Sequence, residues 1–272
     1  MVDCMVEEYM NISQKNQLIY TLGMVQFPRI AKFDPFVDSF MDKIRTDYPI
    51  DDHISPKVYT TSIGPEGVQI ERQDTNVWQF SSIDRKWAFI LTDQSICLHT
   101  SEYNNISEFN KRLEDGISKL IAIPDIGIKW LSAVGIRFVY MLVEKSGKSL
   151  NEIAKPWNLT EPYSLPLEII EGVYVSSYKT KFGELRLQTL RNPWVTLPPE
   201  LISPMIQKNG WLKLRPKQDF AIVDLDHSFK WINPQKFEIK EVIKTIVNLE
   251  DTSREMVLST GLETSKKLGG LK

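Results

Sequence analysis

Two cysteines and three histidines in 272 residues leave little from which to build a metal centre or a disulfide framework. Cys4 and Cys97 lie far apart, one near the amino terminus and one inside an apolar strand-like run, so no cystine pairing is expected. The 13 glycines are scattered. No Gly-rich strand-to-helix turn of the kind that cradles a dinucleotide or a nucleoside triphosphate occurs, and there is no Gly-x-Ser-x-Gly nucleophile motif. Nowhere do eighteen apolar residues run together, and the first ten residues carry Asp3, Glu7 and Glu8 with no basic residue, the opposite of a secretory leader. Lysine and arginine number 33 against 35 acidic residues, a formal net charge of -2 that supplies no whole-molecule attraction to nucleic acid or to anionic membrane. These absences predict a cytoplasmic, non-membrane protein with no cofactor and no catalytic residue.

What the chain does have is enough apolar material, 42% of its residues, to bury a core without covalent staples. It also repeats itself. Residues 18–27 form a β-type run ending at Pro28, Asp34-Pro35 reads as an N-cap with proline at the first helical position, and Phe36, Val37, Phe40, Met41 and Ile44 make one helical face. A loop-rich stretch, 51–76, has room for short edge strands at 57–62 and 68–72. Short β-runs at 77–82, 87–91 and 96–100 suggest an antiparallel meander. Asn105 and Glu108 have capping-box spacing before a helix striped by Ile106, Phe109, Leu113, Ile117 and Leu120. The order then begins again: a long apolar run at 130–143, a second capping-box pair at Ser149 and Glu152, strands at 173–180 and 184–191 around Gly183, a helical turn near 201–207, a strand at 220–226, and a last helix striped by Ile239, Val242, Ile243, Ile246 and Leu249.

The expectation is therefore an α+β fold made of a tandem pseudo-repeat of a β-α-β-β-β-α unit, with mostly antiparallel sheets and helices packed on one face. Residues 1–16 read as an arm, 17–124 as the first unit, 125–260 as the second and 261–272 as a tail. Two such units can share one curved sheet, a saddle like that of TATA-binding proteins, or stand as two packed lobes.

The run 22–27, the pattern Trp78-x-Phe80-x-x-x-Asp84, the step Thr100-x-x-Tyr103 leading to Phe109, the run Val134-Gly135-Ile136-Arg137-Phe138-Val139-Tyr140 and the Val223-Asp224-Leu225-Asp226 stretch occur in this order. From about Leu18 onward the chain thereby resembles a sporadically distributed family of uncharacterised prokaryotic proteins. Phe138 stands where that family often has tyrosine. The resemblance implies a shared fold unit and, by analogy, an accessory role in a defence or mobile-element system. It implies no chemistry.

Arg137 is the first candidate binding residue. Alternation puts it with Leu131, Ala133, Val139 and Met141, while Val134, Ile136, Phe138 and Tyr140 take the other face, so a guanidinium there requires a partner. Asp224 and Asp226 are the partners of the right type, and an interior Arg-Asp pair is the expectation. The alternative is a divalent-metal site on Asp224, Asp226 and His227, which would open phosphoryl chemistry. Cys97 and His99 share a strand face, where packing of a small thiol and a satisfied imidazole is expected. Trp157, Trp194 and Trp211 fall in proline-rich or connecting segments and are candidates for exposed partner anchors. Lys208, Lys213, Arg215 and Lys217 surround Trp211, a mixture suited to a phosphate backbone and a base face. The leading functional expectation is a non-catalytic binding or regulatory protein that presents a sheet surface and proline-rich loops to a protein partner. Nucleic-acid binding across a saddle-like sheet and a metal-dependent enzyme at Asp224 and Asp226 are the alternatives.

Overall fold

A computed structural model describes residues 18–54, 57–64, 67–74, 76–144, 149–154, 157, 170–193, 197–198, 201 and 218–260. The expected arm at 1–16, the tail at 261–272 and nearly all of the expected helical turn at 201–207 lie outside these residues.

The chain runs β1 (Leu18–Gln26), α1 (Asp34–Ile44), β2 (Ile50–Ile54), β3 (Lys57–Gly64), β4 (Gly67–Asp74), β5 (Val77–Ser81), β6 (Trp87–Thr92), β7 (Ser95–Thr100), α2 (Ile106–Ile121), β8 (Trp130–Val143), α3 (Leu150–Ala154), β9 (Gly172–Thr180), β10 (Gly183–Arg191), β11 (Phe220–Lys236) and α4 (Ile239–Ser259). This is an α+β fold built on one nine-stranded antiparallel sheet, ordered β2-β5-β6-β7-β1-β8-β11-β10-β9. The sheet runs unbroken across the 124/125 boundary, because β1 and β8 pair at its centre, so the two-lobe alternative gives way to a single sheet. β3 and β4 form a separate two-stranded ribbon rather than extra edge strands. The strand that does cover β5 is β2, in a stretch where only loop was expected, and it carries His53 stacked on Trp78 with rings 5.4 Å apart.

One face of the sheet holds the main core. Val37, Phe40 and Ile44 of α1, Phe109, Leu113 and Ile117 of α2, Leu150 and Ala154 of α3, and Val242, Ile246 and Leu249 of α4 meet Phe80, Phe89, Leu98, Ile136, Phe138, Val223 and Leu225. The apolar positions recur at helical spacing, which fixes the face each helix turns inward. α2 approaches the sheet so closely that a Cβ on Gly116 would stand 2.3 Å from the Phe89 ring. Asn105 caps α2, its side chain accepting from Glu108 N at 2.9 Å, and Ser149 and Glu152 close the reciprocal box before α3. Asp34 is the first residue of α1 rather than its cap; Phe33 occupies that position with no side-chain cap bond. In the first turn the Asp34 carboxylate still meets the positive end of the helix dipole. No helix among the described residues is long and apolar enough to cross a membrane.

Candidate functional site

The second face of the sheet carries its own buried cluster: Ile19, Tyr20, Leu22, Val77, Ile90, Cys97, Val139, Met141, Phe220 and Ile222, with Leu197 and Leu201 packed on it. Arg137 and Asp224 are embedded there. On β8 strict alternation sends Ile136, Phe138 and Tyr140 to the helical core and Arg137, Val139 and Met141 to the second face. β11 does the same with Val223 and Leu225 against Ile222 and Asp224.

Nε of Arg137 donates to Asp224 Oδ1 at 2.7 Å and Nη2 donates to Oδ2 at 2.6 Å, a bidentate pair whose side chains are 8% and 1% exposed. In register Arg137 lies directly opposite Asp226, and Asp224 opposite Val139, so the guanidinium leans along the diagonal to the more deeply buried carboxylate. Asp226 is half-buried. Both Asp224 oxygens accept from one fork, which is the geometry that best offsets the loss of hydration of the two charges.

Three expectations need correction here. Leu131 does not share the Arg137 face: it belongs to the helical core. Between Ala133↔Lys230 and Leu131↔Gln235 the β8–β11 register shifts, β11 spending five residues where β8 spends two, and alternation does not carry through such an irregularity. His227 leaves the proposed Asp224-Asp226-His227 constellation, because its ring points to the opposite face. There Nδ1 lies 2.9 Å from the Leu249 carbonyl and 3.2 Å from Ser253 Oγ of α4, and Nε2 lies 2.9 Å from Thr180 Oγ1. Burial holds this imidazole below its ordinary range, opposed by the Leu249 carbonyl and by Asp226. Among the described residues no group of three or more histidine, cysteine or acidic side chains is arranged to hold an ion. Third, Trp157 is not an exposed anchor: at 1% exposure it sits in the main core, its carbonyl accepting from Thr189 Oγ1. Trp194, Trp211, Lys208, Lys213, Arg215 and Lys217 lie outside the described residues.

Cys97 and His99 share the second face, as their spacing requires. Burial pushes the Cys97 thiol up to about 12, opposed by the Ser95 hydroxyl, and pushes the His99 imidazole down to about 3. At neutral pH the pair is therefore a thiol beside a neutral ring that packs 5.5 Å from Tyr20, not a thiolate–imidazolium nucleophile.

A further feature is absent from the sequence reading. β9 ends the sheet: among the described residues β10 lies on one side and no strand on the other. Along this edge Val173 is 65% exposed, Val175 47% and Tyr178 40%, and Ile170 just before the strand is 78% exposed. Four of the seven large apolar side chains that stand out among the described residues are gathered here, which marks a patch rather than scatter. In the sequence both faces of 173–178 look apolar, the signature of a covered strand. Only the strand order shows that, among the described residues, nothing in the sheet covers it. Comparison with protein-family models, with curated proteins and with solved structures finds no match to this chain.

Proposed function

We propose that the chain is a non-catalytic binding protein that meets a macromolecular partner through its sheet, at the free edge formed by β9. The observation that carries this is the exposure of Val173, Val175 and Tyr178 on a nine-residue terminal strand. Folded proteins blunt such edges with charge, proline, bulges or brevity; β9 is long, regular in register and blunted only by Lys179. Main-chain pairing with an added strand and burial of the valines would supply affinity together. The Arg137–Asp224 pair enters this reading as a register lock, since both carboxylate oxygens are engaged.

The sheet itself supports a fusion of two copies of one β-α-β-β-β-α unit. Read outward from the centre, β1-β7-β6-β5 and β8-β11-β10-β9 follow the same chain order. At the junction Gly23 pairs with Ile136 and Met24 with Gly135, the exchange required if Gly23-Met24 and Gly135-Ile136 are equivalent positions about a two-fold axis. In this reading the family resembled is one of interaction proteins, and an accessory role in a prokaryotic defence or mobile-element system is the setting.

Affinity capture from the native host with the wild-type chain and with Val175→Pro tests the binding surface. Proline is tolerated where an edge N–H points away from the sheet, so the variant removes the outer edge without opening the fold. A partner retained by the wild type and lost by the variant, with an unchanged melting temperature, is the expected result; equal retention would overturn the assignment.

A further inference from the structure

The outer side of β9 has a definite pattern of backbone groups. Thr180 and Gly183 close the two-residue turn Lys181-Phe182, and the register Tyr178↔Leu185, Ser176↔Leu187, Tyr174↔Thr189 follows without a break. A closing pair of this kind exchanges both of its hydrogen bonds, and hydrogen-bonded and non-bonded pairs alternate along an antiparallel ladder. The backbone groups of Thr180, Tyr178, Ser176 and Tyr174 therefore face β10. Those of Lys179, Ser177, Val175 and Val173 face outward.

The side chains that accompany these outward groups all stand on the second face of the sheet: Val173, Val175, Ser177 and Lys179, with Glu171 immediately before the strand, and all five are exposed. They read Glu-x-Val-x-Val-x-Ser-x-Lys. The charges at the two ends are opposite and each lies four residues from Val175. An antiparallel partner with the same sequence, centred on Val175, would set Glu171 against Lys179, Val173 against Ser177 and Val175 against itself, with about six backbone hydrogen bonds across the joint. On the other face it lays Tyr178 over Gly172 and Tyr174 against Ser176. A two-fold axis at Ser176 matches the same backbone groups but sets Lys179 against Val173, and Glu171 then meets Lys181 of the turn, beyond the end of the strand. One at Ser177 sets Lys179 against Val175.

Resting on the reading of the β9 edge as the interaction surface, we propose that its occupant is a second copy of this chain, joined antiparallel about Val175 so that the sheet continues across a two-fold axis. The interface is isologous, which is why one strand carrying both charges is self-complementary. It is confined to one strand and its flanks, at the small end of specific interfaces, so the dimer forms in a concentration-dependent equilibrium.

Sedimentation equilibrium of the full chain over a concentration series provides the test, with folding of each variant checked by its melting temperature. Wild type is expected to dimerise. Glu171→Lys and Lys179→Glu each bring like charges together twice and weaken the dimer about tenfold. The Glu171→Lys/Lys179→Glu double variant, and an equimolar mixture of the two single variants, recover wild-type association. Val175→Lys, which sets two ammonium groups face to face on the axis, and Val175→Pro abolish it. Single variants that dimerise like the wild type, or a charge swap that fails to recover, overturn this register. A wild type that stays monomeric while Val175→Pro still loses a captured host partner overturns self-association and leaves the edge reading standing. A dimer untouched by Val175→Pro places the joint elsewhere and overturns the inference.

Discussion

The two halves of the sheet, β2-β5-β6-β7-β1 and β8-β11-β10-β9, are finished differently at their outer ends and on their second faces. The first half ends in β2, five residues reading Ile-Asp-Asp-His-Ile, short and charged. Burial raises the Asp51 carboxyl, opposed by His53, and Asp52 accepts from Arg85 at 3.2 Å. The second half ends in β9, longer and lined with exposed valines. On the second face the first half embeds neutral groups, Cys97 and the unprotonated His99, whereas the second half embeds a full ion pair, Arg137 with Asp224. The difference teaches that one strand order can terminate in a short charged edge or a long apolar one, and that polar groups in a sheet face are accommodated either by staying neutral or by pairing.

The largest expected effect breaks the pairing in the second half. Arg137→Met leaves the Asp224 carboxylate buried with its fork removed, and chemical denaturation should show a loss of about 3–5 kcal/mol. Converting both partners, Arg137→Met with Asp224→Leu, should return most of that loss, since the uncompensated charge is what costs. A single variant as stable as wild type would remove the pair from its place as a lock on the β8–β11 register.

Neutrality in the first half makes a pH prediction with a definite sign. As pH falls below about 6.5 the unfolded chain protonates His99, while the folded chain resists until about 3. The unfolded state therefore binds more protons across that window and stability falls with acidification, by on the order of 5 kcal/mol once the window is crossed. Between pH 6.5 and 4.5, above most carboxylate titration, His99→Gln should flatten the slope measured by denaturation. Cys97 acts at the other end: unfolded thiol ionises near pH 9 and folded thiol only near 12, so stability falls again as pH rises through that range.

A smaller effect distinguishes the two glycines at the centre of the sheet. A Cβ at Gly23 would stand 2.7 Å from the Phe109 ring, wedged under α2, whereas at Gly135 its nearest neighbours are 3.5 Å away. Gly23→Ala should cost about 1–3 kcal/mol by overpacking and Gly135→Ala less than about 0.5 kcal/mol. Thermal melts that rank them the other way would contradict the packing of α2 against β1. The smallest effect is at the open edge. Val173→Lys should change stability by no more than about 0.5 kcal/mol, because its side chain is mostly in water already.

Local signals were legible where they depend on neighbours in sequence. The meander strands, the stripe of α2 and both capping pairs follow from periodicity and from Asn105, Glu108, Ser149 and Glu152. The partnership of Arg137 with an aspartate of the 224–226 stretch was legible as well, because a charge flanked on both faces by apolar residues must be matched. The choice of Asp224 over Asp226 was not: it depends on a diagonal across two strands 87 residues apart. His227 was misplaced because residue type suggested a cluster that the strand's alternation forbids. Trp157 was misplaced because a proline-rich neighbourhood says nothing about what lies beneath it.

The order of apolar and polar residues by itself determined most of the elements, their antiparallel character and the need for a paired guanidinium, since these follow from side-chain period, short connections and the cost of burying charge. Tertiary structure alone decided which strand would be last. Whether Val173 and Val175 are core or surface depends on the presence of a neighbour beyond β9, and no property of nine residues encodes what is not placed beside them.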